Sequence, residues 1–176
     1  GYGLLKKLKQ YHLKKLKSRP KIINKYLESH GKQKIMSVQI CRTPLNQMLE
    51  KILNWIQLGQ VEKAKQQYNY DKLFHLYLIL LFESGDKVMI EKNEIVNITP
   101  AITQKPETVC NYSNTNRLTF MELIQKAEAN YPNLYYYNAV NDNCQKFASH
   151  LCHLLGIFRF DSFINQYHVK DIVNLP

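Results

Sequence analysis

Asn-Asp-Asn-Cys-Gln-Lys-Phe, residues 141–147, follows a run rich in β-formers at 134–140 and opens an apolar-periodic segment of Phe147, Leu151, Leu154 and Leu155. Steps of three and four mark one face of a helix. Gly156 is the expected stop residue just past its end. Cys144 therefore falls in the first turn of a helix whose apolar face packs inward. A thiol there meets unpaired backbone N–H groups and the positive end of the helix dipole, and both favour the thiolate. Asn141, Asp142 or Asn143 can supply the N-cap.

A nucleophile needs a base, and the candidate lies upstream at His75. It stands in the apolar run Lys-Leu-Phe-His-Leu-Tyr-Leu-Ile-Leu-Leu-Phe at 72–82, too continuous for a solvated helix. Ser84-Gly85 then turns the chain into a second β-rich run at 87–98, which predicts a β-hairpin. A turn centred between Ser84 and Gly85 puts His75 opposite roughly Glu94. Side chains alternate between faces along a strand, so Glu91 and Asn93 share one face and Glu94 takes the other. Which face His75 shares depends on register, which sequence leaves open. Asn93 suits the task of orienting an imidazole, as the third group does in Cys-His-Asn arrangements; Glu91 would do it with a charge.

A His on the first hairpin strand, a polar residue on the second and a later Asn-Cys-x-x-Phe at a helix start resemble the circularly permuted papain-like superfamily. That superfamily includes the lecithin:retinol acyltransferase group, related phospholipase/acyltransferases and the PPPDE isopeptidases. The order His75 then Cys144 is the permuted one, the reverse of NlpC-type and papain-type enzymes. The resemblance covers about 38–164 and is most specific at Asn143, Cys144 and Phe147. Leu154-Leu155-Gly156-Ile157 with Phe163 and Ile164 looks more like the isopeptidase pattern. The second His that the lipid acyltransferases usually carry at the hairpin end is not seen here. The resemblance implies an α+β fold, with an antiparallel sheet packed against the cysteine-bearing helix. It also implies a thiol nucleophile acting on an acyl group, with no cofactor.

Other readings of the same residues are plainer. A cysteine in an apolar helix is usually a small buried hydrophobe, the expectation for Cys41, Cys110 and Cys152. His150 and His153 follow Cys144 by six and nine residues, and only three or four would place them beside it. His12, His30 and His168 read as surface residues. There is no Cys-x-x-Cys or His-x-x-x-His pair with structural-metal spacing. No glycine-rich phosphate loop or Gly-x-Ser-x-Gly elbow occurs either.

Charge divides the chain unevenly. Residues 1–34 hold ten lysines and Arg19 against the single acid Glu28, a net of +10 that equals the charge of the whole chain. Leu4, Leu5, Leu8, Tyr11 or His12, and Leu16 form one stripe, with Lys6, Lys7, Lys9, Lys14, Lys15 and Lys17 around it. That pattern predicts a basic amphipathic helix of the kind that lies on anionic membranes. A protein or capsid-like surface is the next candidate partner, and nucleic acid the less favoured one. Residues 1–34 are thus expected to be an arm, and 35–176 a thiol-hydrolase-like domain large enough to bury its own core.

Within that domain, 35–42 reads as a strand and Thr43-Pro44 as a helix start running to about Leu58. Residues 61–67 suggest a short helix and 99–117 a long loop able to cover the cleft. Thr119 and Glu122 form a capping box for a helix to about Asn130, stopped by Pro132. Tyr135, Tyr136 and Tyr137 fall on a strand leading to Cys144. One phenol is a candidate oxyanion donor, although packing is the ordinary use of such tyrosines. Four irregularly spaced cysteines suggest free thiols in a reducing compartment or a virion. The composition and the glycine start would suit a processed viral piece. The expected function is a His-Cys acyl hydrolase or acyltransferase, on phospholipid esters at a membrane. A peptide or isopeptide hydrolase and a non-catalytic membrane-binding or assembly component are the alternatives.

Overall fold

The computed structural model describes residues 3–4, 18–44, 74–93, 95–100, 108–113, 116–137 and 142–158. They form an α+β unit. Helix α1 is Lys21–His30, and strands β1 to β5 are Ile35–Pro44, Phe74–Phe82, Lys87–Lys92, Val96–Pro100 and Thr108–Ser113. Helices α2, Phe120–Asn130, and α3, Cys144–Leu154, follow. The sheet has five strands in the order β4-β3-β2-β1-β5, and every neighbouring pair is antiparallel.

Strand alternation sorts the side chains. Val38 and Ile40 of β1, Leu76, Leu78 and Leu80 of β2, Val88 and Ile90 of β3, and Val96 and Ile98 of β4 share one face. All three helices pack on it, through Ile23 and Leu27 of α1, Phe120, Leu123, Ile124 and Ala127 of α2, and Phe147, Ala148, Leu151 and Cys152 of α3. The opposite face holds a smaller buried group, Cys41, Tyr77 and Met89 with Ile79 against them. A sheet buried on both faces explains why β2 reads as one continuous apolar run instead of an alternating one.

The hairpin between β2 and β3 departs from the expected register. The ladder runs from Leu81↔Lys87 to Tyr77↔Glu91. Phe82 N–H reaches Asp86 O at 2.9 Å, so the loop is the three residues Glu83, Ser84 and Gly85. Gly85 has φ +92°, the left-handed conformation that a three-residue hairpin loop requires at its last position. One residue more in the loop than the two-residue turn moves the partner strand by one, and in a strand one residue is a change of face. Glu91 consequently lies opposite Tyr77 on the face of His75, and the placement of His75 opposite Glu94 is corrected.

Other expectations are corrected too. Thr43 and Pro44 close β1 and do not start a helix; the rest of that expected helix and the one at 61–67 lie outside the described residues. The expected loop at 99–117 contains the end of β4 and all of β5. Residues 131–137 form turns, with Leu134 N–H to Tyr131 O at 3.0 Å and Tyr136 N–H to Asn133 O at 3.0 Å, and no strand. His30 is wedged between Tyr26 and Phe82, with Asp86 Oδ2 3.0 Å from its Nε2, and is not a free surface residue. The capping box at α2 is present as read, with Thr119 Oγ1 accepting from Glu122 N–H at 3.1 Å and Glu122 Oε1 from Thr119 N–H at 3.2 Å.

The segment 1–34 is more than an arm. The lysine-rich part up to Lys17 lies outside the described residues apart from Gly3 and Leu4. Beyond it, α1 sets Ile23, fully buried, and Leu27 into the main core. Arg19 bonds Glu128 of α2 through Nε at 3.2 Å and also through Nη2, pinning the entry of α1 to the neighbouring helix. The core thus begins before the expected boundary at residue 34. Losing a buried Ile or Leu costs about 2–5 kcal/mol, against a total stability of about 5–15 kcal/mol for a domain. A fragment of residues 35–176 should therefore lose cooperative unfolding in near-ultraviolet circular dichroism melts, whereas one beginning at Ser18 should keep it.

Candidate functional site

Cys144 is the first residue of α3. Asn143 in front of it is extended, at φ −96° and ψ −175°, and its Oδ1 accepts from Lys146 N–H at 3.0 Å. Of the three candidate caps, Asn143 does the work. At the other end Gly156 takes φ +77°, Gly156 N–H bonds His153 O and Ile157 N–H bonds Cys152 O. This Schellman closure, with Ile157 buried, stops the helix where the glycine predicted. Capped at both ends and packed on β2 and β3, α3 holds Cys144 in a defined place.

The thiol meets His75. Residue 144 stands on the helix-bearing side of the sheet and His75 on the other, but His75 is the second residue of β2. The start of α3 comes in at that strand end. There the Cys144 thiol and the His75 ring come close enough for each to act on the other's proton affinity. The β2–β3 pairing has stopped at Tyr77↔Glu91, and the backbone N–H groups of Leu76 and Gln145 favour the charged form of the sulfur. Cys144 is half-buried.

The far side of the imidazole is held by Glu91, whose Oε2 lies 2.7 Å from His75 Nε2, with both side chains 12% exposed. The contact is diagonal across the ladder, because Glu91 is paired with Tyr77 and His75 stands two residues before it on the same face. Glu91 on Nε2 leaves Nδ1 as the ring atom for the thiol. Tyr77 stacks beside the imidazole, ring centroids 6.0 Å apart. Of the two sequence candidates for orienting His75, the structure brings Glu91 to it. Asn93 lies past the end of β3, where its backbone N–H bonds Ile95 O at 3.1 Å and shapes the turn into β4.

The electrostatics follow from this chain of contacts. Burial works against a charged His75, but hydrogen bonds to Cys144 and Glu91 and the charges of both carry it up to about 10. Burial likewise opposes a charged Cys144. The hydrogen bond and charge of His75, helped by the two backbone N–H groups, outweigh it and hold the thiol below its ordinary value. Both shifts favour the thiolate–imidazolium form of the pair over the neutral one. Cys152, eight residues on, shows the contrast: with burial alone its thiol is pushed up to about 12. Cys41 and Cys152 are buried, as expected of them, and neither is in a disulfide; the side chain of Cys110 lies outside the described residues.

Neither His150 nor His153 joins the pair. His150 stacks flat on Tyr131, centroids 3.6 Å apart and planes 2° from parallel, and His153 stacks on Phe158. Tyr135 is buried, and burial, foremost, raises its phenol well above the ordinary range. Its surroundings are Arg19 and Glu128, so it packs at α2 and is not placed as an oxyanion donor. Two polar residues near the cysteine were not anticipated. Gln145 is buried, and its Oε1 has no partner among the described residues. Lys92 is only 2% exposed, with Nζ 3.3 Å from Asn133 O. The lysine was recoverable from parity, since it alternates with Val88 and Ile90 on the core face. Among the described residues, no helix is long and apolar enough to cross a membrane, and no three His, Cys, Asp or Glu side chains are grouped for a metal ion.

No family model, curated protein or solved structure matches the chain.

Proposed function

We propose that the protein is a thiol acyl hydrolase or acyltransferase with a permuted papain-like arrangement, acting on phospholipid acyl esters. The observation that carries the reading is the continuous chain Cys144–His75–Glu91, in which a helix-start thiol, an imidazole and a buried carboxylate meet from three separate elements. A nucleophile beside a base that an orienting group holds is the constellation that acyl transfer needs.

The steps follow from the charges. The Cys144 thiolate attacks the ester carbonyl carbon, and the carbonyl π electrons move to oxygen. The oxyanion faces the start of α3, where the Cys144 N–H has no acceptor within the helix. As the tetrahedral species collapses, the C–O bond to the leaving alcohol breaks, and the His75 imidazolium gives its proton to that alkoxide. A thioester on Cys144 and a neutral imidazole remain. Water, or an acceptor hydroxyl or amine, then attacks the thioester while His75 takes its proton. The acid, ester or amide leaves and the thiolate returns. Glu91 keeps its charge throughout and stabilises the imidazolium, as the aspartate does in the serine triad.

The preference for a lipid ester rests on the lysine-rich stripe at Lys6, Lys7, Lys9, Lys14, Lys15 and Lys17, which suits an anionic surface. The decisive measurement is the intact mass of the full chain after brief exposure to phosphatidylcholine–phosphatidylglycerol vesicles. An added acyl mass on Cys144, removed by hydroxylamine, is the expected result. Acylation or cleavage with a peptide or isopeptide amide, and none with the vesicles, would move the substrate class to amides. If neither substrate reacts and Cys144 resists iodoacetamide at neutral pH, the fold is non-catalytic, serving a membrane or an assembly.

A further inference from the structure

A lysine in a protein core is costly, because an ammonium ion taken out of water loses its hydration. Lys92 is 2% exposed. Its three N–H donors have one hydrogen-bond acceptor among the described residues, Asn133 O at 3.3 Å. It borders a cavity of about 120 Å³ walled by Tyr131, Asn133, Asp142, Lys146, Phe147 and His150 among others. The cavity has room for several waters or one compact oxyanion. Lys146 and His150 are four apart on α3 and so stand on one side of the helix. The flat stack on Tyr131 fixes the His150 ring. Three nitrogen bases thus meet around one small space, with the single carboxylate of Asp142 to offset them.

The titration of these groups fits that crowding. His150 is held down to about 4, by burial first and then by the charges of Lys146, His153 and Lys92. Lys92 is lowered to about 8 by burial, against which the charges of Asp142 and Cys144 act. Asp142 and Lys146, both lining the cavity, each lie two residues from Cys144 in the chain, which sets the cavity near the nucleophile.

We propose that this cavity is an anion subsite, in which Lys92, Lys146 and His150 hold a phosphate or carboxylate group of the molecule whose carbonyl meets Cys144. The role as a substrate subsite rests on the thiol-hydrolase reading; the binding of an anion does not. A bound oxyanion would supply the missing acceptors of Lys92 and relieve the repulsion at His150. It would also orient the reacting carbonyl from a remote contact, which is how binding energy is converted into rate.

The test uses the full chain and inorganic phosphate. The His150 ring is followed by NMR as pH is varied, with and without the anion. Phosphate should move its midpoint up from about 4, by about one pH unit or more, the effect of an opposite charge at contact distance. Dissolved short-chain phosphatidylglycerol is the second arm. A shift with both ligands makes a lipid phosphate the occupant, and a shift with inorganic phosphate alone makes it a soluble phosphate-bearing substrate. Independently, Cys144 is alkylated with anionic iodoacetate and neutral iodoacetamide. The ratio of the two rates should fall about tenfold in Lys92→Met, as electrostatic focusing into a charged cleft is lost, and should fall likewise in Lys146→Gln, whose more exposed position spares the core. An unmoved His150 midpoint with an unchanged rate ratio overturns the subsite. An inactive enzyme whose His150 still responds to phosphate would instead overturn the hydrolase reading and leave the anion site standing.

Discussion

Cys144→Ala should lower ester hydrolysis by roughly 10⁴-fold or more, the scale seen when a covalent nucleophile is deleted, and should prevent any acyl adduct. The same variant has a second readout that a merely structural cysteine would not move. His75 is raised to about 10, with burial opposing and with Cys144 and Glu91 as the charged partners that lift it. Without the thiolate, only Glu91 remains to support the imidazolium, so the NMR titration of His75 should fall back toward its ordinary 6.5. The pH dependence of stability should change with it. For His75, whose folded value lies above the unfolded one, the contribution is complete below 6.5 and is lost as pH rises through about 10. For Cys144, whose folded value lies below the ordinary 9.0, the contribution is complete above 9.0 and is lost as pH falls through the lowered value. The two contributions run in opposite senses with pH, so above 9.0 only the His75 loss remains, running out through about 10. Wild-type thermal melts should show that alkaline loss, and Cys144→Ala should reduce it. Activity unchanged in the variant would remove Cys144 from the chemistry.

How far the sequence revealed this site depends on how local each signal is. The start of α3 was legible because cap, apolar period and stop glycine all lie within sixteen residues of one another and need no partner to be interpreted. The capping box of Thr119 and Glu122 was legible for the same reason. The hairpin was visible, but its register was not: Ser84-Gly85 fits a two-residue turn and a three-residue loop equally well, and the two differ in which face Glu91 takes. Strand β5 was hidden among Pro, Asn and Ser residues, because it draws its stability from pairing with β1 and not from its own composition. Residues 134–140 misled in the opposite sense; their tyrosines have β propensity, yet over 131–137 the chain makes turns that bury Leu134 and Tyr135. Helix α1 was masked by charge. Ile23 and Leu27 are four apart and make a core-facing pair, but the surrounding lysines set the reading of the whole segment.

The choice between Glu91 and Asn93 shows what register adds to composition, and it yields the second large expected effect. A carboxylate 2.7 Å from His75 Nε2 accepts a charged hydrogen bond and favours the imidazolium. Glu91→Gln keeps the shape and removes the charge. Its amide can also present N–H to the ring, which would reverse the donor pattern and turn the imidazole to the wrong tautomer. Turnover should fall by about 10²–10⁴-fold, the upper value being that for the equivalent change in a serine triad. The thiol should follow. With His75 less basic, the Cys144 thiolate loses part of its counter-charge, so the midpoint of the iodoacetamide rate against pH should rise toward 9.0, the ordinary thiol value. Asn93→Ala, at a residue whose backbone N–H bonds the β3–β4 turn, should leave that midpoint in place. An Asn93→Ala profile displaced as far as that of Glu91→Gln would show that the hairpin pairs differently in solution.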